Sequence, residues 1–229
     1  MKSILFTLFI FIFQFTVFSQ DCMSTEYLVK GTKWEVANFD KKGKISSSEK
    51  YEVLNATHSG DKSSWEIKIA MSDKKDEPIN ETTTEIICED GLYKIDMSQM
   101  IPAETMQSLQ SMEVEIDGTT VNFPTVNDVN TKLEDAEITI TAKSSGMVIM
   151  TMKVTSTDRK IEGLETVTTE AGTFECLKIS EKSKVENKMF SREYSNTSWF
   201  LPGFGVVKSE SYNHKDKLMS TSELRSLTR

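Results

Sequence analysis

Ser64-Trp65-Glu66-Ile67-Lys68-Ile69-Ala70-Met71 decides the fold, because every second residue is large and apolar while those between are small or charged. A period of two belongs to a strand with one buried face, since successive side chains on a pleated backbone point to opposite sides. Val148, Met150, Met152 and Val154 repeat the pattern, with Thr151, Lys153 and Thr155 between the later members, and Ile138 and Ile140 carry it one strand earlier. Serine and threonine fill many opposite positions, which predicts the solvated face of an antiparallel sheet.

Turn chemistry separates the strands. Asp40-Lys41-Lys42-Gly43 places aspartate first and glycine fourth, the preference of a type I turn, so a hairpin is expected there. Residues 212–218 match residues 39–45 in character, and two uses of one favoured turn explain this more simply than an internal duplication. Leu201-Pro202-Gly203-Phe204 suits a type II bend, and Ala171-Gly172 breaks the chain before the strand carrying Cys176. Residues 72–78 and 127–135 read as solvated connectors.

One segment departs from the sheet pattern. In residues 97–112, Pro102 can open a helix and Met106, Leu109 and Met112 fall on one stripe, so a short amphipathic helix is predicted. Methionine is flexible and polarizable, and such a helix facing a sheet can line an adaptable apolar pocket. The candidate lining residues are Met97, Met100, Met106, Leu109, Met150 and Met152. Filling the core between helix and sheet is the plainer use of the same side chains.

Residues 1–19 read as a cleavable export signal: Lys2 supplies the positive start, and residues 4–18 are apolar apart from Thr7, Gln14 and Thr16. That block falls short of the roughly 20 residues a spanning helix needs. Aspartate before Cys22 is a poor residue for a lipid-attachment cut. The expectation is a soluble chain of residues 20–229, folded as a single β-rich domain, with no membrane span after cleavage and a place in the periplasm or outside the cell. Lys and Arg total 27 against 35 acids, a net charge of −8, one unit more negative once Lys2 has gone. No basic run overrides that mean, so neither nucleic acid nor an anionic membrane surface is an expected partner.

Three cysteines in an oxidising compartment predict one disulfide and one thiol. Spacing leaves connectivity open. Joining Cys22 to Cys88 would tie the N-terminal arm to the sheet and close a long loop, for about 4 kcal/mol in the chain-entropy account. Cys176, beside Phe174 on a predicted strand, is then the buried thiol.

Catalytic motifs are lacking. His58 and His214, the only histidines, lie in polar, turn-like settings and are too few for a clustered-imidazole zinc site. A dyad of His214 with a serine or with Cys176 rests on residue types alone. No Gly-x-Ser-x-Gly elbow, phosphate-cradling glycine loop or dinucleotide fingerprint occurs, and acidic pairs such as Glu113 with Glu115 suit a solvated strand face. The chain reads as non-enzymatic, with no metal and no cofactor.

Arg159-Lys160-Ile161-Glu162-Gly163-Leu164, Glu170-Ala171-Gly172-Thr173-Phe174 and Leu201-Pro202-Gly203-Phe204-Gly205, in that order, resemble the C-terminal half of the TapB-like exported proteins, which are related to domain of unknown function 3108 and common in Bacteroidota. Cys88-Glu89-Asp90-Gly91-Leu92-Tyr93 and the hairpin at residues 39–45 resemble the N-terminal half. The resemblance implies a strongly curved antiparallel sheet that can close into a half-barrel around a short helix, and it carries over no catalytic residue. The expected fold is therefore mainly β, a curved antiparallel sheet of half-barrel or sandwich-like form with one short amphipathic helix. The expected function is that of a non-enzymatic envelope protein of a Gram-negative bacterium, binding an apolar or amphiphilic, lipid-like ligand on the concave face. The alternative is a structural or assembly partner of another envelope protein, acting through its surface or an edge strand.

Overall fold

The computed structural model describes Cys22 and residues 27–97, 101, 105, 108–109, 111–124 and 129–229. Its strands are β1 (Lys33–Asp40), β2 (Ile45–Ser59), β3 (Lys62–Asp73), β4 (Pro78–Glu89), β5 (Leu92–Asp96), β6 (Glu113–Gly118), β7 (Thr120–Pro124), β8 (Ala136–Ser144), β9 (Met147–Thr169), β10 (Gly172–Glu186), β11 (Ser191–Leu201), β12 (Gly205–Asn213) and β13 (Leu218–Thr228). All 13 join one antiparallel sheet in the order β6-β8-β9-β10-β11-β12-β13-β1-β2-β3-β4-β5-β7.

The two edge strands dictate the shape. β6 and β7 are separated only by Thr119, yet they stand at opposite edges of the sheet. Laid flat, those edges would lie about 55–60 Å apart at the usual strand spacing, and two residues of extended chain reach only about 7 Å. The sheet must therefore roll into a nearly closed barrel. Thr119 fastens the junction: its N–H donates to Glu137 O at 2.8 Å, and its Oγ1 accepts from the Glu137 N–H at 2.9 Å. Gly118 is needed for the close approach, since a Cβ there would fall 2.3 Å from Glu137 O.

Trp65, Ile67, Ile69 and Met71 are all buried, as the alternation of β3 requires. Phe200 reaches in from β11, stacks on Phe123 of β7 with centroids 4.6 Å apart, and lies 5.9 Å from Tyr93 of β5, whose ring is 6.0 Å from Trp65. These rings, from four different strands, plug the interior from wall to wall. Each full burial of such a side chain is worth roughly 1.5–3 kcal/mol.

The hairpin at residues 40–44 forms, with Gly43 at φ +72 and Asp40 Oδ1 accepting the N–H groups of Lys42 (2.8 Å) and Lys44 (3.0 Å). Asp73 repeats this cap between β3 and β4, and Asn213 repeats it between β12 and β13. Gly203, at φ +82, takes the left-handed position of the bend between β11 and β12. Cys22 and Cys88 are joined in a disulfide, and Ser63 Oγ donates to the Cys22 carbonyl at 3.0 Å.

Two expectations are corrected. The named elements are all strands, so the short amphipathic helix over residues 97–112 is not supported as an element; of its central turn only Thr105, Ser108 and Leu109 are described, with helical backbone, and Met100 and Met106 lie outside the described residues. The described contacts there, Met112 N–H to Leu109 O and Ser108 Oγ to Thr105 O, each span three residues. The alternation in β9 also breaks: the register with β8 shifts between Ala142 and Lys143, and Val148 is 58% exposed rather than buried. No helix among the described residues is long and apolar enough to cross a membrane.

Candidate functional site

Beyond the aromatic plug the inner face changes chemistry. Alternation along β11 puts Asn196 and Ser198 on the same side as Phe200. The register then carries that side across the sheet: Ser198 opposite Ser209, Ser209 opposite Ser222, Ser222 opposite Asn38, and Asn38 opposite Ser47. One step further along, Glu181 faces Asn196, which faces Ser211. A ladder of short hydroxyl and amide groups thus crosses β10 to β2, where a filled barrel would hold branched apolar side chains. Ser198, Ser209, Ser222 and Asn38 are half-buried, so water reaches them.

The ladder is internally bonded and flanked by carboxylates. Ser209 Oγ and Ser222 Oγ lie 2.7 Å apart, and Asn38 Nδ2 donates to Ser47 Oγ (3.1 Å) and to Glu49 Oε1 (3.3 Å). Tyr51 donates its hydroxyl to the other Glu49 oxygen. Burial, reinforced by the Glu49 charge, pushes this phenol well above its ordinary pKa, so it remains a donor. On the opposite flank Glu181 accepts from Ser156 Oγ (2.7 Å), Asn196 Nδ2 (3.1 Å) and Arg159 Nε (3.3 Å).

Arg159 is fully buried, and a bulge in β9 puts it there. Asp158 adopts φ +53 and the register with β10 slips opposite Glu181, which turns the guanidinium inward. Its terminal nitrogens donate to Glu134 O (2.9 Å) and Asn122 O (3.1 Å), and its Cζ lies 5.2 Å from the Phe123 ring. Burial pulls this group below its ordinary pKa while Glu181 opposes the pull, and an arginine stays charged under both influences. Arg159 therefore bonds chain on both sides of the barrel closure. Chemically, the concave face offers hydroxyls that donate and accept, amides, and the acceptor oxygens of Glu49 and Glu181.

The structure distributes the sequence candidates elsewhere. Met97, Leu109 and Met152 are buried in the core and Met150 packs against it, while Met100 and Met106 lie outside the described residues. His58 Nδ1 stands 2.8 Å from Ser63 Oγ, but that serine is buried and donates to the Cys22 carbonyl, which makes the pair an anchor for the N-terminal arm. His214 sits in the turn after β12 and Cys176 near the start of β10, at opposite ends of the barrel. Burial raises the Cys176 thiol to about 11. No group of three His, Cys, Asp or Glu among the described residues is arranged to hold a metal.

Sequence reading missed the ladder because it assigned serines to the solvated outer face. The signal was a failure of alternation: residues 194–198 and 209–212 are almost wholly polar at both parities, so neither face of β11 or β12 is apolar there.

The profile of the DUF3108-like family matches residues 29–224. A crystal structure from Bacteroides fragilis, described as an exported protein with YmcC-like fold, is 20% identical with a TM-score of 0.76, covering 88% of this chain and 97% of its own. A second, described as a lipoprotein from Parabacteroides distasonis, is 22% identical with a TM-score of 0.79, covering 91% and 100%. At these identities the likeness is one of fold. No protein of curated function matches the chain.

Proposed function

The chain belongs to the DUF3108-like family over residues 29–224, and we propose that it is an exported, non-enzymatic envelope protein whose concave polar ladder binds a hydroxyl-rich ligand of saccharide type. The observation that carries this reading is the inward row Ser198, Ser209, Ser222, Asn38 and Ser47. Short side chains leave room for a ligand, and a hydroxyl can meet a sugar hydroxyl as donor or acceptor. Export is supported by the signal read in residues 1–19, by a disulfide that needs an oxidising compartment, and by the exported and lipoprotein descriptions of the two structural neighbours.

A wholly apolar ligand suits this face less well. Trp65, Tyr93, Phe123 and Phe200 already occupy the apolar part of the interior with one another, so an amphiphile would present its polar head. The test is saturation-transfer NMR of the mature protein with soluble peptidoglycan and lipopolysaccharide-core fragments. Ser209→Leu and Ser222→Leu should abolish binding while leaving the melting transition in place. Absence of glycan binding by the parent, or binding unchanged in both folded variants, would refute the proposal.

A further inference from the structure

Strand order and antiparallel pairing place five turns at one end of the barrel, those after β1, β3, β8, β10 and β12. Between the strand ends they hold eight lysines against three acids, with the carboxylates of Asp40 and Asp73 capping two of these turns. The four turns at the opposite end, after β2, β4, β9 and β11, hold Asp61, Asp90 and Glu170 and no cation. Charge in this acidic chain is therefore segregated along the barrel axis, with the cations gathered from stretches far apart in sequence.

At the lysine end two hairpins, adjacent in the sheet, carry apolar side chains into solvent. Met147, Val148 and Ile149 at the β8–β9 tip are 67%, 58% and 56% exposed, and Met189 in the turn after β10 is 89% exposed, next to Phe190 at 39%. Lys188 and Arg192 flank that pair, and the Arg192 guanidinium lies 5.4 Å from the Phe190 ring centroid. β9 also outruns β10: their pairing ends with Glu186 opposite Lys153, so residues 147–152 pair with β8 alone.

The open edge of β9 suits an added strand from a partner protein, but that occupant would leave the tips uncovered. An added strand lies beside the edge in the plane of the sheet, whereas Met147 and Val148 are consecutive and project to opposite faces, and Met189 and Phe190 stand in a turn. The interfacial zone of a lipid leaflet covers both faces of a hairpin tip at once and has charged groups at the level where Lys188 and Arg192 sit. The surplus of lysine fixes the sign of that leaflet, since each cation near an anionic surface adds to the attraction.

We propose that the lysine end of the barrel docks onto an anionic membrane surface, with the Met147, Val148 and Ile149 tip and the Met189, Phe190 turn entering the headgroup region and Lys188 and Arg192 meeting lipid phosphates. Docking is peripheral and independent of the ligand reading of the concave face. It reverses the expectation drawn from mean charge, which treats the molecule as uniformly acidic.

Sedimentation of the mature protein with two kinds of vesicle tests this, pure phosphatidylcholine and phosphatidylcholine with one-third phosphatidylglycerol, each at low and high salt. The protein should pellet with the anionic vesicles alone, and salt should weaken the association. Met189→Asp with Phe190→Asp, and separately Lys188→Glu with Arg192→Glu, should each lower partitioning by about tenfold or more with the melting transition unchanged. Phe190→Trp, made in the full mature chain, should give emission that shifts blue on anionic vesicles and is quenched by brominated lipid. No sedimentation with anionic vesicles, equal partitioning of the parent and both double variants, or a Phe190→Trp signal that answers to an envelope protein fraction but not to vesicles, would each overturn the proposal.

Discussion

Arg159→Met removes a cation buried where the barrel closes, and its cost can be worked from the groups left behind. Arg159 is 0% exposed and bonds Glu181, Glu134 O and Asn122 O, whereas the Glu181 side chain is 22% exposed and keeps Ser156 and Asn196 as donors. Each carbonyl left buried and unpaired costs about 1–3 kcal/mol. Glu181 adds less, because it retains two donors and some hydration. Methionine preserves much of the packing of the arginine stem, so apolar loss is minor. With local relaxation the expected loss is about 3–5 kcal/mol, the range for breaking a buried pair from one side. In a domain of this size each kcal/mol moves Tm by about 2–4 °C, so the transition should fall by roughly 6–20 °C. Urea unfolding followed by tryptophan fluorescence measures the free energy. Hydrogen exchange adds the location: the Thr119 and Glu137 amides, bonded across the junction, should exchange faster before the amide of Ile67 does. Arg159→Met with Glu181→Leu should recover part of the loss, since neither charge is then stranded. A single variant within about 1 kcal/mol of the parent, or a double variant no more stable than the single, would refute the clasp.

Three further expectations are quickly checked. Gly118→Ala should destabilise by about 1–3 kcal/mol in urea, because the added methyl meets the Glu137 backbone rather than a movable side chain; a neutral result would mean that the closure is loose. Alkylation of the denatured, unreduced protein should label one cysteine by intact mass and that of the native protein none near neutral pH, since Cys22 is bonded to Cys88 and burial holds the Cys176 thiol at about 11; three labels without reductant, or fast native labelling, would contradict this. The carboxyls of Asp40 and Asp73 sit below their ordinary pKa, chiefly through backbone bonds from Lys44 and Glu77 respectively, so their stabilisation is present above the unfolded carboxylate range and lost as pH falls through the folded values. Asp40→Asn with Asp73→Asn should flatten the acid limb of Tm against pH, as Asn213 caps the same turn without titrating; an unchanged limb would exclude these caps as its source.

Legibility follows the range of the interactions involved. β3 was readable because one face is buried and the other is not, and the turns at Asp40 and Pro202 because their chemistry is local to four residues. The closure was not, since nothing in residues 113–124 marks β6 and β7 as opposite edges of one sheet. Arg159 looks like one more charge in a polar strand until the bulge at Asp158 turns it inward. The stripe Met106, Leu109 and Met112 resembles a helix face, and Leu109 is buried in the core while Met106 lies outside the described residues. The lysine end escaped notice for a different reason. Its cations lie between Lys41 and Lys217, one or two per turn in most cases, and only the strand order collects them.

Strand length links the plug to the functional face. β9 has 23 residues and β2 and β10 have 15 each, whereas strands of about 5–6 residues are usual in globular domains. The aromatic plug needs only the segments around Trp65 and Phe200. Extending a ladder beyond it adds backbone hydrogen bonds whose net gain over water is small, about 0.5–1.5 kcal/mol each, against the entropy of ordering every added residue. Stability alone therefore does not explain the extensions, and they are what carry the serine ladder and the apolar tips. Two truncations test the division. Phe200→Ala should cost about 3–5 kcal/mol, because the ring is buried against Phe123 and Tyr93. Ser222→Ala, in the half-buried ladder, should stay within about 1 kcal/mol of the parent, since Ser209 can turn its hydroxyl to water. Equal losses for the two variants would mean that the ladder belongs to the core, and the concave face would then have no claim to be a site.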